Sequence, residues 1–298
     1  MDLDPAFLRG LATGGLLSTR AAAVAGLDRR DLAVAARRGH LLRLWQGWYT
    51  TAEAPDRWEL HRLRTVAALL DAPGRAASHH SGLILRGIPT FRAPLGTVQL
   101  VGTTAPHRLP TGLRVRPRGS LAVETVTVGP HEVASVPVAT CIVESGSLGL
   151  AESALVSADA ALASGAVTTG QLETAVADAR GRRGIRELRR VMTWVDPARE
   201  SPGESRMACS LRRLGYSFTS QVWIGRDRVD ALLDEAPIVL EFDGRLKYAS
   251  RADLFEEKRR EDRIRAQGHD FVRRDWDHVG DLHSLDREIR AKLRRWQG

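Results

Sequence analysis

Cysteine, lysine, aromatic residues and long apolar runs are all scarce in this chain. Two cysteines in 298 residues, Cys141 and Cys209, cannot build a disulfide framework or a cysteine-rich zinc site. No apolar run approaches the ~18 residues that cross a bilayer. The opening MDLDPAFLRG has no basic segment followed by a hydrophobic stretch, so a secretory signal is not expected. Aromatics make up only 5% of the chain, yet the hydrophobic fraction is 43%, enough for folded cores. These features exclude a membrane protein, a disulfide-rich secreted module and a disordered chain. The expectation is a soluble cytoplasmic protein with no membrane partner, and a nucleoid-associated one if it binds DNA.

Lysine is the most telling scarcity. Only Lys247, Lys258 and Lys292 appear among 44 basic residues, and the net charge is nonetheless +8. A surplus of that sign favours a polyanion such as nucleic acid; a genome-wide preference for Arg codons gives the same count. The charge is spread along the chain. Residues 1–55 hold 7 basic and 5 acidic residues, 56–198 hold 16 and 12, and 199–298 hold 21 and 19. With no basic tail, any nucleic-acid surface has to come from folded geometry.

The length suggests two or three domains, and three segments differ in pattern. Residues 1–55 read as three short helices and a hairpin. Asp4-Pro5 opens the first helix, Ser18 or Thr19 caps the second, and Asp28 caps the third, which stops at Gly39. The alternating segments of LLRLWQGWYTT meet at Gln46-Gly47 in a tight turn. This is the order of a winged helix-turn-helix, whose third helix enters the major groove. Ser18, Thr19, Arg29, Arg30 and Arg37 are the candidate DNA contacts; a small helical bundle with solvated arginines is the alternative. Positions 15–50, GLLSTRAAAVAGLDRRDLAVAARRGHLLRLWQGWYT, resemble the winged-helix domain of the abortive-infection type IV antitoxin family.

Residues 56–198 read as an α+β middle domain. A helix is expected at 57–70, β-rich pieces at TVQLVG, LRVRPR, ETVTVG and VPVAT, and helices near 150–164, 171–180 and 184–195. Thr168 and Gln171 have capping-box spacing. SHHSGLILRGIP and VPVATCIVESGSLGLAESALVSADAAL resemble the part that follows the winged helix in the same antitoxin family. That resemblance implies DNA binding and the possibility of a toxin or other protein partner. The pair His79-His80 is expected to be structural, because adjacent helical residues do not share a face.

Residues 199–298 read as α-β-β-β-α-β followed by a closing helix. In IVLEFDG, alternation separates Ile238, Leu240 and Phe242 from Val239, Glu241 and Asp243. A carboxylate among such apolar neighbours is costly unless it is paired or holds a cation. Antiparallel pairing can bring Asp230 beside Glu241, and acids on neighbouring strands make an all-oxygen site suited to Mg²⁺ or Mn²⁺. Asp230 followed by Glu241-x-Asp243-Gly244 is similar to the active-site hairpin of the PD-(D/E)XK nucleases, nearest to the very-short-patch-repair-like endonucleases. The likeness covers about residues 200–276. It includes Ser201-Pro202-x-Glu204, Gln221, Arg228-Val229-Asp230, Lys247-Tyr248, Glu257-Lys258-x-x-x-Asp262 and Val272-x-Arg274.

The resemblance implies a restriction-endonuclease-like αβββαβ domain and metal-dependent phosphodiester hydrolysis. Asp230, Glu241 and Glu204 would be the metal ligands, with Asp243 and Lys247 as further catalytic residues. This chain departs from the pattern two positions after Glu241, where Asp243 replaces the usual Lys; Lys247 would reach back from the following loop. Each residue also has a plainer reading. Ser201 and Glu204 form a capping box, Asp230 and Glu241 pair with Arg228 or Arg245, Asp243-Gly244 is a turn, and Arg259, Arg260 and Arg263 are surface charge. The fold class expected overall is α/β (α+β overall), and the competing function is a DNA-binding regulator with an inactive nuclease fold.

Overall fold

The chain is a mixed α/β protein, described by a computed structural model over residues 3–103, 109–148, 151–244 and 251–296. It gathers into two compact units, Met1–Ser145 and Gly146–Gly298. The boundaries expected near 55 and 198 fall inside the first and second unit.

The first unit opens with α1 (Pro5–Leu11), β1 (Leu16–Ser18), α2 (Thr19–Val24), α3 (Arg29–Arg37), β2 (Leu42–Trp45) and β3 (Trp48–Thr50). The strands form a sheet in the order β1-β3-β2, which includes a strand, β1, that the sequence pattern does not suggest. Three residues are too few to show alternation. Caps set the helix starts. Ser18 Oγ accepts from Ala21 N at 3.0 Å, and Asp28 and Asp31 close a reciprocal capping box at α3. Leu8, Leu17, Leu32, Leu41 and Tyr49 share one small core.

The unit continues through α4 (Arg57–Asp71), β4 (Arg75–Ala77), α5 (His79–Leu85), β5 (Val98–Gly102), β6 (Leu113–Pro117), β7 (Glu124–Val128), β8 (His131–Ser135) and the greater part of α6 (Val138–Leu148). Its five strands are ordered β6-β5-β4-β8-β7. VPVAT is not a strand. The strand is the preceding HEVAS, and Val138 already begins α6. Pro137 suits the entrance to a helix, where a missing N–H leaves no bond unmade. Leu63, Val66 and Ala67 of α4 pack on Leu100 and Val133 of the sheet.

His79 and His80 are buried and structural. His80 Nε2 donates to Thr97 O at 3.0 Å, and its ring lies 5.0 Å from that of His61. His61 Nδ1 donates to Leu95 O at 2.9 Å, which leaves its Nε2 to accept from Ser81 Oγ at 2.8 Å. Burial, then repulsion from His61, pushes His80 down to about 4, and burial also lowers His61.

The second unit contains α7 (Ala151–Ala163), α8 (Thr169–Asp178), α9 (Ile185–Met192), α10 (Pro202–Leu214), β9 (Phe218–Ile224), β10 (Asp227–Leu233), β11 (Ile238–Phe242), α11 (Arg251–Ala266), β12 (Asp270–Arg274) and α12 (Leu282–Trp296). Thr168 and Gln171 form the expected capping box at α8. The sheet order is β12-β11-β10-β9; β12 is parallel to β11 and the other pairs are antiparallel. A parallel neighbour needs a crossover, which α11 supplies. Met207 and Leu211 of α10, with Leu285 and Ile289 of α12, pack on Leu240 and Val272. On the other face Ile264 of α11 packs on Val229, Val239 and Phe271.

Candidate active site

Register lines up the acids. Ala231 pairs with Leu240 and Leu232 with Val239, so one step further sets Asp230 beside Glu241. On the other side, Val229 pairs with Val222 and Ala231 with Ser220, which puts Gln221 opposite Asp230. Across the parallel edge, Glu241 pairs with Arg273. One rung of the sheet therefore reads Gln221, Asp230, Glu241, Arg273.

The strands are irregular at that rung. Val229 joins the core under α11 while Ala231, two residues on, joins the core under α10. Regular alternation would put both on one face. Asp230 lies where the pattern switches, and its Oδ2 accepts from Phe242 N at 2.8 Å. Gln221 has φ 55°, a left-handed backbone in mid-strand. Such a conformation costs a non-glycine residue about 1 kcal/mol or more.

Glu204 meets this rung from the start of α10. Its backbone N–H donates to Ser201 Oγ at 3.2 Å, as a cap requires. The carboxylate does not return to Ser201 as the capping box predicts. Glu204 Oε2 accepts instead from Glu200 N at 3.0 Å and from Gln221 Nε2 at 2.8 Å. Asp159, buried, anchors the same helix start by accepting from Ser205 Oγ at 2.7 Å and Arg199 Nη1 at 2.8 Å. Close approach of α10 to β11 depends on Gly203. A Cβ there would collide with the Phe242 ring.

Glu241 is 5% exposed and clamped by arginine. Arg260 Nη2 donates to Oε1 at 2.6 Å and Arg273 Nε to Oε2 at 3.1 Å. Arg273 also reaches Glu261 at 2.7 Å, and Arg260 reaches Glu257 at 3.1 Å. A buried carboxylate left unpaired costs several kcal/mol, so these partners are what let Glu241 sit on a central strand. The partners expected from sequence are Arg228 or Arg245. Arg228 pairs with Glu200 at 2.5 Å instead, and Arg245 lies outside the described residues. Nothing local in the sequence marks Arg260 or Arg273, because both reach Glu241 only through the crossover.

Asp243 is 53% exposed, with Arg273 Nε 3.9 Å from its Oδ2. Its N–H donates to Arg274 O at 2.8 Å, which extends the parallel pairing past β11. Burial pushes its carboxyl up, against the pull of Arg273. Lys247 lies outside the described residues.

Asp230 carries the largest perturbation at the rung. Burial first, then the charges of Glu204 and Glu241, push its carboxyl up to about 7, against the Phe242 N–H and Arg260. A carboxyl pushed up by burial and acidic neighbours is one whose ionised form a divalent cation would favour. In donor type, Asp230, Glu241 and Glu204 fit a hard cation. Among the described residues, no three acids, histidines or cysteines already converge as a cage, since guanidinium groups engage Glu241. Loading at Glu241 requires an arginine to turn away.

The other candidate surface lies on the first unit. Ser18 is spent as a helix cap, and Thr19 N donates to Gly47 O at 2.8 Å. Arg29, Arg30 and Arg37 are exposed and in no ion pair among the described residues. Among those residues no helix is long and apolar enough to cross a membrane.

No protein-family profile matches the chain. It is 28% identical over 262 residues to two Mycobacterium tuberculosis proteins, spanning 83% of this chain and 89% of theirs. Strain ATCC 25618 / H37Rv supplies "Uncharacterized protein Rv2248" and strain CDC 1551 / Oshkosh "Uncharacterized protein MT2308". The chain is thus similar, along most of its length, to mycobacterial proteins whose own names assign no activity.

Proposed function

We propose that this protein is a DNA-binding, divalent-metal-dependent endonuclease-like protein that hydrolyses phosphodiester bonds. In this reading, residues 1–55 bind DNA as a winged helix. The observation that carries the proposal is the rung that sets a half-buried Asp230, pushed up to about 7, beside Glu241 and within the field of Glu204. A perturbed carboxyl gathered with other acids at one place is a functional-site candidate. When bound, Mg²⁺ or Mn²⁺ would lower the pKa of a water and offset charge building on the phosphate. Asp230, Glu241 and Glu204 would hold it. Asp243, two residues after Glu241 and 53% exposed, would take a proton in this reading. Arg260 and Arg273 supply positive charge beside Glu241 and, freed from it, have the fork geometry for a phosphate. Gln221 orients Glu204 through its amide.

One observation favours a second reading. With both Glu241 oxygens held by arginine, the nuclease fold serves as inert scaffold for an antitoxin-like DNA-binding regulator. Incubation of the purified chain with supercoiled, linear, mismatched and branched DNA in Mg²⁺ or Mn²⁺ separates the two. The nuclease reading expects cleavage that drops about 100-fold or more in both Asp230→Ala and Glu241→Ala. Cleavage unchanged in those variants, or absent on every substrate, refutes it. The regulator needs no metal. It expects Arg29→Ala and Arg30→Ala to weaken duplex binding, each lowering the salt slope by about 1 where the arginine neutralises a phosphate.

A further inference from the structure

A tryptophan stands unfastened on the hairpin that carries Asp230. Trp223 is 65% exposed, more than any other described aromatic side chain. Apolar residues exposed singly are ordinary on a protein surface, so it is the setting of Trp223 that gives its exposure meaning. Of the other tryptophans, Trp296 at the end of α12 is 47% exposed, and five are tied down. Trp45 and Trp48 donate through their indole N–H groups to Arg64 O and Asp71 Oδ1. Trp58, Trp194 and Trp276 lie under arginine guanidinium groups, and Trp276 also meets Phe242 edge to face. No hydrogen bond, ring contact or guanidinium holds Trp223 among the described residues.

Its place is defined by its neighbours. Val222 and Ile224 pack in the core under α11, so alternation turns Trp223 to the opposite face, the one from which Glu204 approaches. Gln221, two residues earlier, faces Glu204 from the left-handed backbone described above. Arg228 is the cross-strand partner of Trp223, and Arg226 occupies the turn between them. β9 is the outer strand of its sheet, so nothing in the sheet lies beyond it. The Arg228 guanidinium is held by Glu200 at 2.5 Å, so a phosphate there would displace that carboxylate; an open aromatic face beside arginines is the pairing that binds an unpaired nucleobase and its phosphate. Stacking serves any base, and arginine serves the backbone.

We infer that Trp223, with Arg226 and Arg228, is a stacking platform for an unpaired base, and that the hairpin engages single-stranded or locally opened nucleic acid. This deepens the nuclease reading and rests on it for the nature of the ligand. It assigns Asp230's site a substrate with exposed bases, distinct from the duplex proposed for residues 1–55.

The test needs no catalysis. Full-length wild-type, Trp223→Ala and Trp223→Phe proteins are titrated in EDTA against fluorescein-labelled DNA strands of about 12 nucleotides, read by anisotropy. A blunt duplex and an RNA strand of the same sequence run in parallel. Trp223→Ala is expected to lose about 5-fold or more in single-strand affinity, with Trp223→Phe within about 3-fold of wild type. Duplex affinity stays unchanged. Any RNA binding falls with that of DNA, since a stacked ring does not read the sugar. Wild-type single-strand affinity in Trp223→Ala overturns the platform. So does an equal loss on duplex, or no strand bound at all, which leaves the ring to a protein partner. Cleavage that survives such a result keeps the nuclease reading alive without the platform. The expected binding losses beside a chain that cuts nothing keep the platform and sink the nuclease.

Discussion

Gln221 and His79 share a backbone state that few side chains adopt, with φ of 55° and 53°, and one lies in each unit. His79 is buried and sits at the start of α5. Ser78 Oγ lies 2.9 Å from its Nδ1 and Glu144 Oε2 3.4 Å from the same atom. Glu144 in turn binds Arg116. The strain there is repaid inside the fold. Gln221 is half-buried on an edge strand, and its amide goes to one carboxylate at the candidate site. The same strain, of about 1–3 kcal/mol, supports packing in one unit and aims a polar group in the other. An outlier whose side chain ends in a buried network is architecture; one whose side chain ends on a carboxylate of the candidate site is a pointer to chemistry.

The sharpest way to break this contrast is to replace each residue with glycine, which adopts positive φ freely. His79→Gly is expected to lose about 3 kcal/mol or more of stability in urea unfolding, because a large buried ring disappears from a charged network. A His79→Gly protein as stable as wild type would show that the strain outweighs the network.

The next effect is the share of the pH dependence that His80 contributes. His80 has its folded pKa lowered to about 4, below an unfolded value near 6.5. Between those values the unfolded chain binds the extra proton. The contribution is therefore complete above pH 6.5 and is lost as pH falls toward 4, by about 3 kcal/mol for this group. Unfolding free energies at pH 7 and pH 4.5, in wild type and His80→Gln, test the slope. A variant with undiminished acid sensitivity would remove His80 as its source.

The smallest change in stability belongs to Gln221→Gly. Relief of strain and loss of one hydrogen bond are each about 1 kcal/mol, so stability should stay within about 1 kcal/mol of wild type. Cleavage, on the nuclease reading, should fall about 10-fold or more as Glu204 loses its guide. Unchanged cleavage would return Gln221 to the class of His79.

Much of the second unit is legible in the sequence. Alternation in IVLEF, a glycine after each of two helices, and carboxylates inside apolar strands are local patterns, whereas the alternation read in RVDALL, which would set Val229 and Ala231 on one face, breaks at Asp230. They place β10, β11, α10 and α11 near where they are found, and they single out Asp230 and Glu241. The Ser201 cap is local and readable, but the destination of the Glu204 carboxylate is not. Gln221 reaches it from 17 residues away. VPVAT misleads because valine-rich runs read as strand, while Pro137 and the following residues continue as helix.

What the sequence determined by itself is the kind of group present: acids on strands, arginines on a helix, histidines on an apolar face. Which cation meets which acid was decided only by tertiary structure. Arg260 and Arg273 come to Glu241 across 19 and 32 residues, through a crossover that fixes the parallel register of β12 on β11. Charge has no periodicity and any arginine can serve any carboxylate, so partner choice follows burial and register rather than spacing.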